Sequence, residues 1–200
     1  MADDSECLTD VARAYPDGLR DESRRVGRAD SISFPKDESD VIRHLAVARR
    51  RGCTITIQGA RTGVTAGAVP EGGHILNLSR MNRIVGLHPA AASGNFRVVV
   101  QPGVLLADLR KYLREEMEIR FRESGRLHFF PPDPTETSAS LGGMVACNAS
   151  GARSLFYGPT RNYVERLRVV LADGSSLELR RGRHKADGRM FSIKTDSGHR

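Results

Sequence analysis

The chain has 200 residues, of which 39% are hydrophobic and 28% charged, a composition typical of a globular chain with one domain or two closely joined subdomains. No stretch approaches the roughly eighteen consecutive apolar residues of a membrane-spanning helix, and the acid-rich start lacks the layout of a secretion signal. We therefore expect a cytoplasmic protein without a membrane span. The net charge of +7 would suit a nucleic-acid partner, but the basic residues are interleaved with acids, which disfavours that alternative.

The spacing of cysteines and histidines predicts neither a disulfide framework nor a metal site. The three cysteines lie far apart in the chain, and the six histidines show no metal-ligand spacing. We therefore predict free thiols and no bound metal.

The first predicted elements follow a polar start. Residues 1–30 are charged and show little periodicity, so we interpret them as a leader or loosely attached segment and place the domain at 31–200. From Asp37, a helix cap, apolar residues recur at helical spacing until Gly52, and this pattern predicts an amphipathic helix. The β-branched residues 54–57 then predict a strand.

Further strands are predicted at residues 75–78, 84–87 and 97–101, because glycine, proline and asparagine separate these short apolar runs. A second helix is predicted from Leu105 to Glu118. Its apolar stripe comprises Leu106, Leu109, Leu113 and Met117. The residues on either side of Asp173 and Gly174 predict two strands that form a β-hairpin, so the chain mixes helices and strands.

A glycine-rich loop directly follows the strand at residues 54–57. Its glycines recur every four residues among small and hydroxylated side chains, so its backbone N–H groups can converge on a diphosphate. The spacing excludes a nucleoside-triphosphate P-loop and the G-x-G-x-x-G motif. A purely structural turn stays the alternative for this loop. The candidate ligand residues are Gln58, Gly59, Ala60, Arg61, Thr62, Gly63, Thr65 and Gly67.

A second segment is rich in small residues: from Ser138 to Ala152, ten of fifteen residues are Gly, Ala or Ser. Such a stretch can lie flat against an aromatic ring system while its polar groups bind the ring edges. The alternative is tight packing of two chain segments.

The order of motifs along residues 33–180 resembles the FAD-binding domain of the vanillyl-alcohol-oxidase superfamily, often called PCMH-type. Within that group the later motifs are similar to the glycolate and D-lactate dehydrogenase branch. The motifs are Phe34-Pro35, the loop at 58–68 with Val69-Pro70-Glu71-Gly72-Gly73, the segment at 77–84, Val100-Gln101-Pro102-Gly103-Val104, Pro131-Pro132-Asp133-Pro134, Leu141-Gly142-Gly143, Asn148-Ala149-Ser150-Gly151-Ala152 and the segment at 157–164.

This resemblance implies an α+β fold of two subdomains with FAD between them and the diphosphate at residues 58–67. The glycine-rich loop contains no histidine, the residue that carries the flavin in covalent family members, so noncovalent FAD is expected. Arg61 and Ala66 stand where such loops often have glycine, and Met144 where asparagine is frequent. The flavin and its ribityl chain would contact Pro132, Asp133, Ser140, Gly142, Gly143, Asn148 and Gly151.

The resemblance also implies the function: an FAD-dependent oxidoreductase that acts on 2-hydroxy acids such as glycolate or D-lactate. The family's catalytic and substrate-binding residues lie downstream, so the chain is expected to be a fragment truncated at its C-terminal end, inactive alone, with no catalytic residue assigned. An electron-transfer partner is possible. The alternatives are a noncatalytic FAD-binding or interaction protein and, less favoured, a basic nucleic-acid-binding protein.

Overall fold

A four-stranded sheet forms the first part of the fold. The structure is a computed structural model that describes residues 7–90, 94–124, 128–132, 134 and 136–199. In the order β1-β2-β4-β3, the strands β2 and β3 run parallel to β4, and β1 runs antiparallel to β2. The sheet comprises β1 (Cys7–Thr9), β2 (Ser31–Ser33), β3 (Ile55–Gln58) and β4 (His74–Asn77).

Residues 7–30 are packed onto this sheet, which corrects the expectation of a loosely attached leader. Helix α1 (Val11–Ala14) and a 3₁₀ turn (Pro16–Leu19) follow β1. Val11 and Leu19 are buried in one hydrophobic core with Ile32 and Ile75. Val11 and Leu19 are large aliphatic residues eight positions apart, so their long-range contacts were not visible as periodicity. The proposed domain boundary at residue 31 stays a prediction.

Helix α2 (Glu38–Arg50) lies where the sequence predicted a helix, and it connects β2 to β3. The Asp37 side chain caps it by accepting a hydrogen bond from the Asp40 N–H at 2.9 Å. Gly52, with φ of +62°, follows the last turn in the left-handed conformation that favours glycine. Leu45 and Ala48 form its buried face.

A second hydrophobic core lies between a β-hairpin and two helices. The hairpin pairs β5 (Ile84–Ala90) with β6 (Asn95–Val100), and the helices are α3 (Leu106–Ser124) and α4 (Leu141–Ala146). Leu113 packs against this core, whereas the Met117 side chain lies outside the described residues. Two separate cores are what a two-subdomain fold requires. The buried members are Val104, Leu106, Leu109, Ala139, Leu141 and Met144.

The last third of the chain contains a short helix, α5 (Ser154–Tyr157), and the predicted hairpin of β7 (Arg166–Val170) and β8 (Ser176–Arg180). A two-stranded ribbon of β9 (Lys194–Thr195) and β10 (Gly198–His199) follows.

A bidentate ion pair connects the hairpin of β7 and β8 to α2. The Arg168 guanidinium donates to both carboxylate oxygens of Glu38 at 2.9 and 3.1 Å, and to the Ser176 hydroxyl at 2.7 Å. In the part of the chain that the structure describes, no helix is long and apolar enough to cross a membrane.

His74 is a buried histidine at the start of β4. The Ser31 and Ser33 hydroxyls lie 2.8 Å from its Nδ1 and Nε2 atoms, and its ring stacks on His44 with 5.9 Å between ring centroids. Burial, with smaller contributions from the charges of His44 and Arg51, lowers the pKa of His74 to about 4. The imidazole is therefore neutral in the folded protein at neutral pH.

We expect the fold to lose stability as the pH falls from about 6.5 to about 4. In that range the unfolded state binds the proton that folded His74 excludes, so the free energy of unfolding should drop by about 2 kcal/mol between about pH 7 and pH 4.5. Urea denaturation at a series of pH values measures this. The His74→Gln variant should lose most of the dependence, and the exposed His88→Gln control should keep it; equal pH profiles for wild type and His74→Gln would refute the assignment.

Candidate functional site

The glycine-rich loop begins at the carboxyl ends of two paired parallel strands. Gln58 ends β3 and Asn77 ends β4, and the two residues lie opposite each other in the sheet register. Ligands of open α/β sheets bind outside the carboxyl ends of parallel strands. The loop therefore starts where the fold offers a binding site.

The Gln58 side chain connects the start of the loop to its end and to the turn that contains Gly18. It is fully buried, and its Nε2 donates hydrogen bonds at 2.7 Å to the carbonyl oxygens of Gly18 and Ala68. Its Oε1 accepts a hydrogen bond from Asn77 Nδ2 at 3.2 Å. These contacts occupy both ends of the side-chain amide, so the structure gives Gln58 a scaffold position rather than a free ligand-binding group.

The backbone N–H groups of residues 61–67 have no hydrogen-bond partner among the described residues. The neighbouring bonds involve Ala60, Ala68 and Val69 instead. Gly63 and Gly67 are exposed. A run of unpaired backbone donors around a loop is the arrangement that binds phosphate oxygens.

Gly63 faces open space. A Cβ atom built on it would meet no described heavy atom within 4 Å, so packing does not require glycine there. Thr65 is exposed and Thr62 is half-buried, and neither hydroxyl has a hydrogen-bond partner among the described residues. These hydroxyls remain able to donate to a ligand.

Arg61 and Ala66 adopt left-handed backbone conformations, with φ of +60° and +59°. Side chains other than glycine are strained there by roughly 1–2 kcal/mol. Glycine at either position would relieve this strain. The Arg61 side chain is held by Tyr15: its guanidinium carbon lies 5.5 Å from the ring centroid, and its Nη1 lies 3.4 Å from the Tyr15 hydroxyl oxygen.

Ala66→Gly is expected to raise the free energy of unfolding by about 0.5–1 kcal/mol, because relief of the left-handed strain exceeds the entropy that glycine adds to the unfolded chain. Ala68→Gly is the matched control, since Ala68 is not in the left-handed region and should lose stability instead. Chemical denaturation measures both. Destabilisation of the same size by both variants would contradict the strain at Ala66.

Ser140 connects the glycine-rich loop to the small-residue segment. Its hydroxyl oxygen accepts hydrogen bonds from the Ala60 N–H at 3.3 Å and from the Gly143 N–H at 3.4 Å, where it caps α4. A Cβ on Gly59 would overlap the Ser140 hydroxyl, so glycine at 59 permits this approach. The two segments predicted from the sequence therefore lie against each other.

Gly142 in the small-residue segment has a packing role. Its N–H donates to the Pro102 carbonyl at 2.8 Å, and a Cβ on it would lie 2.7 Å from Pro102 Cβ. Gly143 is exposed at the start of α4. The tight-packing interpretation of this segment thus holds at Gly142.

The later part of the small-residue segment is held by its own chain neighbours. Asn148 has φ of +48°, and its Oδ1 accepts a hydrogen bond from the Arg161 N–H at 3.0 Å. The Gly151 N–H donates to Ser154 Oγ at 2.7 Å. The backbone amide of Gly151 and the side-chain oxygen of Asn148 are therefore engaged internally.

The proline-rich motif is only partly described. Pro132 is buried, and its carbonyl oxygen accepts a hydrogen bond from Arg110 Nη2 at 3.3 Å. Asp133, which the sequence placed along the flavin, lies outside the described residues. Its contact with the cofactor stays a prediction.

Comparison with known proteins identifies the family. The "FAD binding domain" family matches residues 29–180. The chain belongs to this FAD-binding family. The match runs from just before β2 to the end of β8, so it includes the glycine-rich loop and the small-residue segment.

Relatives of this FAD-binding chain include two enzymes of known name. It is 42% identical over 126 residues to a D-lactate dehydrogenase of Anaerostipes hadrus, covering 62% of this chain and 24% of that protein. It is 35% identical over 147 residues to glycolate oxidase subunit GlcD of Bacillus subtilis, covering 72% of this chain and 28% of that protein. The chain thus spans about a quarter of the length of these relatives.

The fold of this FAD-binding chain is also found in solved structures. An alkyldihydroxyacetonephosphate synthase structure superposes with a TM-score of 0.71 at 21% identity, covering 88% of this chain and 32% of that one. The predicted PCMH-type fold, which mixes helices and strands, is confirmed by this likeness.

The described residues fit FAD at the glycine-rich loop. The free amides of residues 61–67 and the open space at Gly63 leave room and donors for a diphosphate. In the part of the chain that the structure covers, no three His, Cys, Asp or Glu residues cluster as metal ligands.

Several residues that shape this candidate site were missed by the sequence analysis. Tyr15 and Asp21 lie in the supposed leader, yet they contact Arg61 and the Ala68 N–H. Asn77 was not singled out, although it is buried against Gln58. The sequence signal for Asn77 was a polar residue at the end of a predicted strand. That signal points to Gln58 only when it is known that β3 and β4 pair.

Proposed function

We propose that this chain is the cofactor module of a flavin-dependent oxidoreductase acting on 2-hydroxy acids, and that it holds FAD noncovalently. The observation that carries the proposal is the run of unpaired amides at residues 61–67, placed at the carboxyl end of β3 in a member of an FAD-binding family. The proposed contacts are diphosphate oxygens on the glycine-rich loop and the flavin and ribityl groups along the segment that begins at Ser140.

FAD supplies the hydride-accepting chemistry when bound; the residues of the chain supply binding and orientation. The N–H groups of residues 61–67 would stabilise the diphosphate charge by hydrogen bonding. Ser140 would fix the distance between the two segments, because its hydroxyl oxygen bonds both Ala60 and Gly143. This separation decides how the two ends of one extended cofactor are placed.

The 2-hydroxy-acid substrate class is supported by the names of the relatives, D-lactate dehydrogenase and glycolate oxidase subunit. A noncatalytic FAD-binding protein is the second candidate, because the described residues offer room and donors for FAD but no assigned catalytic residue. Anaerobic addition of D-lactate or glycolate to the FAD-loaded chain tests whether the chain alone carries out substrate chemistry. Bleaching of the bound flavin's yellow bands would support the enzyme and exclude the noncatalytic module; retained FAD without bleaching is expected of both candidates, because no catalytic residue is assigned in this chain.

Noncovalent attachment gives a direct test. No His or Cys occurs between Gln58 and Ala68, so acid precipitation should release all flavin into the supernatant. The visible spectra of the supernatant and of the washed pellet measure the release. Yellow colour that stays with the pellet would overturn noncovalent binding, and a folded chain that binds no added FAD would overturn the proposed function itself.

A further inference from the structure

The turn before β2 contacts both ends of the glycine-rich loop. The Gly18 carbonyl accepts a hydrogen bond from Gln58, the residue that precedes the loop, at 2.7 Å. At the far end, the Ala68 N–H lies 3.5 Å from Asp21 Oδ2, and the Ala68 carbonyl accepts from Gln58 at 2.7 Å. Both ends of the loop are therefore tied to one short segment.

Asp21 is a buried carboxylate. Burial raises its pKa, but hydrogen bonds from Ser23 and from the Ala68 N–H together outweigh this, so the pKa of Asp21 is lowered overall. The carboxylate is ionised at neutral pH, and a charged acceptor binds a backbone N–H more strongly than a neutral one. Asp21 is thus suited to hold the end of the loop.

Tyr15 contacts the glycine-rich loop through the Arg61 side chain. The Tyr15 ring packs edge-on against Phe34 with 5.3 Å between centroids, and Arg80 lies 5.2 Å from the Phe34 ring centroid. The two rings thus pack against each other between two guanidinium groups in one cluster beside the loop. Cation–π contacts of this kind contribute roughly 0.5–1 kcal/mol at exposed sites, enough to favour one position of the strained Arg61.

We propose that residues 15–21, which precede the matched family domain, form a clamp that preorganises the glycine-rich loop for FAD, with Tyr15 and Asp21 as positioning residues. This inference rests on the proposed function. A loop with free amides from residue 61 to residue 67 loses conformational freedom when it closes on a ligand, and that loss weakens binding. A clamp that orders the loop in advance removes part of the loss without touching the cofactor.

The test compares FAD affinity and stability in four variants of the full chain. Tyr15→Leu and Asp21→Ala should each weaken FAD binding about fivefold in the folded protein, whereas Tyr15→Phe, which keeps the ring, should stay within about twofold of wild type. Val11→Ala is the matched control: it shrinks the same hydrophobic core but has no hydrogen bond to the loop. It should lower the unfolding temperature and leave FAD affinity unchanged.

A double-mutant cycle separates positioning from general destabilisation. In an Arg61→Ala background, Tyr15→Leu should produce no further loss of FAD affinity, because the contact it removes is already absent. If Tyr15→Leu and Asp21→Ala bind FAD as tightly as wild type does, the clamp proposal is overturned. A wild-type chain that is folded but binds no FAD would instead overturn the proposed function, so the two failures are distinguishable.

Discussion

Gly63→Asp is expected to weaken FAD binding by more than about tenfold while the protein stays folded. Two unit charges about 4 Å apart repel by about 1–4 kcal/mol at the effective dielectric constants of water and protein surfaces, and tenfold corresponds to about 1.4 kcal/mol. The new carboxylate would face the diphosphate at a position where no described heavy atom lies within 4 Å of a Cβ. Flavin fluorescence titration measures the affinity, and circular dichroism checks the fold.

Two substitutions at the same position separate charge from size. Gly63→Asn has nearly the shape of Gly63→Asp without the charge, so it should lose less affinity and show weaker dependence on salt. Gly63→Ala should keep the stability of the wild type, because its methyl group meets open space. Unchanged FAD affinity in Gly63→Asp would show that the diphosphate does not lie at this loop.

Gly142→Ala is expected to lower the free energy of unfolding by about 3 kcal/mol, in the upper range for overpacking. The added Cβ would lie 2.7 Å from Pro102 Cβ and 2.9 Å from the Pro102 carbonyl oxygen, so α4 must shift from a position fixed by the buried Leu141 and Met144. For a chain of this size that loss corresponds to a decrease of about 6–12 °C in unfolding temperature.

Gly143→Ala is the control for Gly142→Ala. Its Cβ would lie 3.0 Å from a single side-chain atom, Ser140 Oγ, and alanine favours the helix by about 1 kcal/mol. Its stability should therefore stay within about 1 kcal/mol of wild type. Calorimetry of the FAD-free protein measures both variants, and equal unfolding temperatures for the two would contradict the packing at Pro102.

The sequence predicted the local elements well where a local cause exists. Asp37 and Gly52 mark the ends of α2 because a cap and a left-handed glycine act within one turn of the helix. Asp173 and Gly174 likewise mark the turn between β7 and β8. Long-range contacts were not predictable in this way: β1 and the buried Val11 are defined by partners more than twenty residues away in the chain.

The sequence predicted the two segments of the candidate site but not the role of each residue within them. All the glycines of the loop and segment have the same sequence signature, yet Gly59 and Gly142 are required by Ser140 and Pro102, whereas Gly63 faces open space. Gln58 was grouped with the ligand residues because it begins the loop, but its amide is occupied by Gly18, Ala68 and Asn77. Only spatial neighbours distinguish a glycine that packs from one that leaves room for a ligand.

Hydrogen–deuterium exchange with and without FAD tests the central claim most directly, because it reports on individual backbone amides. If FAD lies across both segments, exchange should slow at residues 61–67 and in the segment that begins at Ser140. A surface depression lined by Arg49, Asp173 and Asp196 provides an internal comparison. Two results with saturating FAD would contradict the proposed site: slower exchange in this depression, or unchanged exchange at every amide of the glycine-rich loop.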